Sequence, residues 1–427
     1  MLGYGAAVAI GWLLLLLRQP GVSALDTLWA EDGAAFLSDA LIRPFGELLL
    51  KPQSGYALVV PRVIAEIASR LPLDLAAVTM SGGSALLLSM LAAFVYRASS
   101  SIQDGAVRLV VASSVILLPV AASEATNNAT NLHWFLTFAA FWALVWVPDR
   151  WTLRLLAATL VAVAGLTDPL TLLLLPMVAM RLLAVRRRAD HVVTVAWAAG
   201  LSVQLLVVLM AGSTEPAPGV APVELAAAFG ARVVVLNALG LPLSESLWPD
   251  WGDALPILGC AGAVLLAVYV ATRPAFTAKP VALGAIGVGA AMFVVTHVIR
   301  WSHLLAASQT WESSLAGSRY LVVPALLMFT AVALLLGRRD PRIRHGPWSR
   351  LRGAVLVWYV AVVATSFSTT NGREDGPSWR EALNAAREFC TQGQVGTLQV
   401  PITPATWAVT IDCLQLRRDW SSAVSPE

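Results

Sequence analysis

The stretch LWAEDGAAFL, Leu28–Leu37, sets Glu31 and Asp32 side by side between Trp29 and Phe36. A carboxylate held about 3 Å from a hydroxyl can take its proton as that oxygen attacks. The same pair also suits a plain helix start, because acids are favoured near helix N-termini. Arg319 and Tyr320 in GSRYLVVP, and Arg300 in THVIRWSH, offer guanidinium groups that can hold a phosphate. Snorkelling to lipid headgroups is the competing use of such arginines. His297, Arg300 and His303 recur at i, i+3 and i+6, on roughly one helical face, with no third metal ligand near the two histidines. ATNNATNLHWF supplies Asn131 and His133; amides beside an aromatic ring suit sugar hydroxyls and a sugar face, and asparagines also cap helices. Asp168 in GLTDPL lies at membrane depth, where an acid is a functional candidate, although Asp before Pro also opens turns. Tyr56 and Arg62 in SGYALVVPR are candidates to line an acceptor groove, or plain surface residues.

A very apolar chain must position these groups. Of its 427 residues 57% are hydrophobic and 13% charged, with a mean hydropathy of +0.71; soluble domains carry about a quarter charged residues. Apolar runs of roughly 15–20 residues recur, continuous rather than alternating, which argues for membrane-spanning helices rather than a barrel. The run Tyr4–Leu17 has neither a basic start nor an A-x-A exit and reads as a first span, not a signal peptide. Eleven spans are expected, at about 2–17, 75–96, 107–121, 132–147, 153–167, 169–185, 192–211, 254–271, 280–298, 319–336 and 353–368.

With the N-terminus cytoplasmic, the inner loops carry 16 basic residues against four acids, and the outer segments 13 against 22. Basic residues favour the inner side, so the expected topology is N-in, C-out in the cell membrane. The outer face then holds 18–74, 212–253, 299–318 and a tail from about Ser368. Two units result: a transmembrane domain, 1–368, whose long first outer loop carries juxtamembrane helices, and a small α/β extracytoplasmic domain, 369–427. In that tail Ser378 and Glu381 form a capping box for a short amphipathic helix, and QVGTLQVPI and TWAVTIDC alternate like strands. Cys390 and Cys413 fall in this outer region, where a disulfide is permitted and would contribute about 3 kcal/mol.

An acidic pair just after a first span, with juxtamembrane helices behind it, resembles the GT-C superfamily of integral membrane glycosyltransferases. EDGAAF is similar to the D-G-x-x-F segment of its oligosaccharyltransferase branch, which places Asp32, Gly33 and Phe36 on that motif. The resemblance implies a bacterial, polyprenyl-phosphate-sugar-dependent enzyme, building the cell envelope and working on the extracytoplasmic face. It would transfer one sugar (a hexose or a pentose) with inversion to a glycan or lipid acceptor. Asp32 is the expected base, or a metal ligand if the likeness extends to a divalent cation such as magnesium or manganese; Glu31 is the alternative for either role. WPDWG, Trp248–Gly252, has no large terminal domain around it, so peptide glycosylation is not expected.

A lipid-linked sugar phosphate already has a good leaving group. It needs one carboxylate for the acceptor proton and cations for the departing phosphate. No G-x-x-x-x-G-K-S/T loop or dinucleotide fingerprint is present, and the basic residues follow topology, which leaves no case for nucleic acid. The alternative reading is a transporter or flippase for a lipid-linked or amphiphilic solute. Such proteins favour internal repeats and midplane charges, and here only Asp168 lies at midplane depth.

Overall fold

The computed structural model describes residues 2–212, 219–252, 254–273, 276–300, 317–337, 347–369, 372–392 and 395–417. The chain is a mostly helical, multi-pass membrane protein with a small strand-containing C-terminal region. Each of the eleven expected stretches contains a helix. Six helices are long and apolar enough to cross a membrane: Leu73–Ala98, Arg188–Ala211, Pro222–Leu239, Ala254–Thr272, Lys279–Arg300 and Ser318–Leu336. Shorter apolar helices lie at Gly3–Leu17, Gly105–Leu117, Leu132–Val145, Trp151–Thr167 and Pro169–Ala184. At the centre, Leu132–Val145 is buried at every position from Leu132 to Leu144, as expected of a helix that is apolar all round.

Pro222–Leu239 is an apolar helix inside 212–253, the stretch expected as an outer loop. Its apolar run hides behind a proline-rich approach and is interrupted by Arg232, which is itself fully buried. Two glycines explain its packing. A Cβ on Gly230 would meet the Cys260 backbone nitrogen at 2.9 Å, and one on Gly259 would meet the Gly230 carbonyl carbon at 2.6 Å. Small residues let helix backbones approach this closely in lipid.

The first loop is short helices rather than coil: a π-wound turn at Asp32–Leu37, then Ser38–Ile42, Phe45–Leu48 and Val59–Ser69. A tight hairpin pairs Pro52–Gln53 with Tyr56–Ala57. Gln204, inside the span Val192–Ala211, donates to the Ala57 carbonyl at 2.9 Å and accepts from the Ala57 amide at 3.2 Å. That two-point bond clips the hairpin to the bundle.

The C-terminal region forms the expected helix, Trp379–Thr391, and a hairpin of Thr397–Ile402 with Trp407–Asp412, registered from Thr397↔Asp412 to Ile402↔Trp407. Ser378 Oγ accepts from the Glu381 amide at 3.2 Å, one of the two bonds of the expected capping box. Cys390 and Cys413 are joined, with Cα atoms 5.4 Å apart. The region sits on the first loop. Ala30 N–H donates to the Thr403 carbonyl at 2.6 Å, Thr403 Oγ1 donates to Leu28 O at 2.9 Å, and Arg387 pairs with Asp74 at 2.6 Å.

Candidate functional site

The segment Glu31–Phe36 is a joint between the C-terminal hairpin, the helix Val59–Ser69 and the 126–131 turn. Asp32 has no exposed surface. One of its oxygens accepts from the Ala129 amide at 2.7 Å; the other accepts from the Thr130 amide at 2.8 Å and hydroxyl at 2.5 Å. Burial pushes its carboxyl up to about 6, against the pull of those bonds and of the Arg373 charge. Arg373 is buried beside it, stacks over Trp29 at 4.7 Å and donates to Asn127 O at 2.8 Å. Burial holds that guanidinium down at about 10, with Asp32 acting in the opposite sense.

Gly33 is small for a steric reason: a Cβ there would run into the Ile402 and Val409 side chains of the hairpin. Phe36 is fully buried under the Arg62 guanidinium, 4.8 Å from its centroid. All three motif positions are therefore engaged in packing or hydrogen bonds, and Asp32, the expected base, is sealed from solvent. No three His, Cys, Asp or Glu gather as metal ligands among the described residues. Glu31 differs: it is half-exposed and makes no side-chain hydrogen bond or ion pair among the described residues.

A second group of residues meets at the mouth of the bundle. Tyr56 stands on the clipped hairpin, its ring 6.1 Å from His133. His133 opens the central helix, 4.3 Å from Trp134, with Nδ1 3.2 Å from Asp168 Oδ2. Trp134 meets Tyr320 edge-on at 5.7 Å, and Tyr320 meets His297 at 6.3 Å. Burial raises the Tyr56 phenol above its ordinary value; Asp168 and Tyr320 push the same way, while Arg300 and Arg319 pull it back. These groups lie within electrostatic range of one hydroxyl. Six expected site residues (Tyr56, His133, Asp168, Arg300, Arg319 and Tyr320) are thus brought together from separate elements.

Their roles differ from expectation in places. Asp168 is saturated: it accepts from Thr137 Oγ1 at 3.0 Å and from the Leu170 amide at 2.8 Å, besides facing His133, so it shapes the site rather than opening into it. Asn131 is buried and donates to the Glu124 carbonyl at 3.1 Å, and Asn128 does the same at 2.8 Å. These amides hold backbone rather than face a groove. Arg62 is buried beneath the joint, bonded at 2.7 Å to Asp39, which it shares with Lys51. Arg300 donates to Ser54 O at 3.0 Å and has no ion pair among the described residues. His303 lies outside the described residues.

Residues not expected at the site include Glu124, which pairs with Arg319, and Gln204, which places Tyr56. Gln204 had a signal, a lone amide inside LSVQLLVV. Glu124 had none, since its partner is 195 residues away. No protein-family model matches the chain, and no curated protein matches it significantly.

Proposed function

We propose that the chain is a GT-C-type membrane glycosyltransferase that moves a sugar from a polyprenyl phosphate to a cell-envelope glycan or lipid acceptor, with inversion, on the extracytoplasmic face. The observation that carries this reading is the gathering of two arginines, three aromatic rings and the His133–Asp168 pair at one mouth. Aromatic faces suit sugar rings, and guanidinium groups suit a leaving phosphate. Eleven crossings with the N-terminus inside fit the charge asymmetry. This topology leaves Pro222–Leu239 out of the count; the Leu241 amide just beyond it bonds Ser366 Oγ, at the end of the last helix, at 2.8 Å.

In this reading Glu31, the accessible acid, takes the acceptor proton as the acceptor oxygen attacks the anomeric carbon. The sugar–phosphate bond breaks on the opposite face, and the phosphate leaves with its charge toward Arg300 and Arg319. Asp32 holds the 129–130 turn, and through it the start of the central helix, in register with the first loop.

The test is transfer by purified full-length protein in detergent, from a labelled short-chain polyprenyl-phosphate sugar to envelope glycan and lipid extracts. A labelled product formed by the wild type and lost in Glu31→Gln supports the reading. No product from any extract, together with flux of the labelled lipid between leaflets of proteoliposomes, would replace it with the transporter.

A further inference from the structure

Among the described residues the Arg319 guanidinium, stacked over the Tyr320 ring at 5.0 Å, is only half engaged in hydrogen bonds. Its Nη1 donates to Glu124 Oε1, whereas Nη2 reaches no closer than 3.4 Å to the Tyr320 hydroxyl. That second contact is longer than an ordinary N–H···O bond of roughly 2.7–3.2 Å. A guanidinium can hold a tetrahedral anion through two parallel N–H groups, and here one edge of that fork carries a carboxylate. The pair is also reachable: the Arg319 side chain is 32% exposed and that of Glu124 16%.

Besides the guanidinium, the carboxylate takes only a long 3.5 Å bond from the Arg319 amide, and shorter bonds hold the local frame. The Glu124 carbonyl accepts from Asn128 and Asn131, and Ser123 Oγ bonds Ser318 Oγ at 2.6 Å, tying the Ala121–Glu124 turn to the Arg319 segment by itself. The Glu124 side chain can therefore leave Arg319 while its backbone stays. Next to this pair, the Trp134 indole N–H is buried and has no acceptor among the described residues, 5.7 Å ring to ring from Tyr320. A buried donor without a partner is costly, and this one belongs to the ring that packs on Tyr320, the residue next to Arg319. Asp168, the other acid at the mouth, is saturated by His133, Thr137 and Leu170.

We infer that Arg319, Tyr320 and Trp134 form a binding site for the phosphate of a lipid-linked phosphoester, and that Glu124 is its resident competitor, a carboxylate that the ligand displaces. The inference rests on the reading of the mouth as a lipid-phosphate site and adds the group that guards it. Glu124 neutralises Arg319 when no ligand is bound and swings out when phosphate takes the fork. No bond is made or broken in this exchange; one anion replaces another.

The experiment measures binding of farnesyl phosphate to the full-length protein in detergent, with farnesol and inorganic phosphate as controls. Glu124→Gln should bind farnesyl phosphate about tenfold tighter than wild type, because one charge competitor is gone. Arg319→Gln should bind it at least about tenfold weaker. Glu124→Asp, which keeps the charge but shortens its reach, should fall between wild type and Glu124→Gln, and it decides the matter should the glutamine variant fail to fold. Farnesol should bind all of them alike.

Unchanged or weaker binding by Glu124→Gln, or by Glu124→Asp in its place, overturns the inference; so does equal binding of farnesyl phosphate and farnesol by the wild type. Tighter binding by Glu124→Gln without any sugar transfer keeps this site and removes the glycosyltransferase reading. Transfer by a wild type whose phosphate affinity ignores Glu124 does the reverse.

Discussion

The joint at Glu31–Phe36 and the mouth lined by Tyr56, Trp134 and Tyr320 both carry acids, arginines and aromatic rings, yet they satisfy them differently. At the joint, Asp32 accepts three hydrogen bonds, Gly33 gives its volume to Ile402 and Val409, and Phe36 lies beneath Arg62. At the mouth, among the described residues, Arg319 uses one edge of its fork, Arg300 has a single bond to Ser54, and the Trp134 N–H has no acceptor. A closed set of polar partners holds a structure together; an incomplete one is where a ligand can add bonds. The difference divides the neighbouring acids: Asp32 is sealed into the joint, whereas Glu31 is half-exposed.

The comparison breaks most decisively at Glu31. Glu31→Gln should lower sugar transfer by about 10²–10⁴-fold, the usual weight of a general base, with an unchanged thermal midpoint. If Asp32→Asn instead abolishes transfer at wild-type stability while Glu31→Gln retains it, the assignments exchange. Next in size is the disulfide. Replacing Cys390 and Cys413 with alanine opens a loop with a sequence separation of 23. It should cost about 3 kcal/mol, seen as easier proteolysis of the C-terminal region, with the mouth intact.

Asp32 also gives the joint a pH dependence. Its carboxyl is raised from an ordinary 3.8 to about 6, so between those values the folded chain binds more protons than the unfolded one, and stability falls as pH rises. The loss is on the order of 3 kcal/mol and is complete above about pH 6. Thermal melts at pH 4.5 and 7.5 should show wild type losing ground to Asp32→Asn as pH rises; parallel behaviour would mean that Asp32 is not buried as described. The smallest effect sharpens the picture at Gly33. Gly33→Ala should destabilise by about 1–3 kcal/mol through overpacking against the hairpin, detected as a lowered thermal midpoint with unchanged farnesyl phosphate binding.

Much of the candidate site was legible one residue at a time. Tyr56, His133, Arg300, Arg319 and Tyr320 were conspicuous as polar or aromatic groups at the ends of apolar runs, and all five reach the mouth. Their partners were not legible. Thr130 lies 98 positions from Asp32, Gln204 lies 147 from Ala57, and Glu124 lies 195 from Arg319. Asn131 and Arg62 were read toward solvent or ligand because a polar side chain beside a span looks available until its neighbours are known. Pro222–Leu239 reads as loop because Arg232 breaks its apolar run. Burying that arginine depends on the fold around it, not on the run itself.

The sequence by itself determined the membrane class, a helix in each expected apolar stretch, the capped helix and hairpin of the tail, and the cysteine pair. Each follows from hydropathy, capping or spacing over a short window, where the physics is local. Only the tertiary structure decided that Asp32 is sealed and Glu31 open, that Arg319 is held by Glu124 along one edge, and that Gln204 places Tyr56. Burial and hydrogen-bond completion depend on atoms that folding brings together from distant parts of the chain. Whether a carboxylate braces the frame or faces a ligand is settled by those neighbours, not by its residue type.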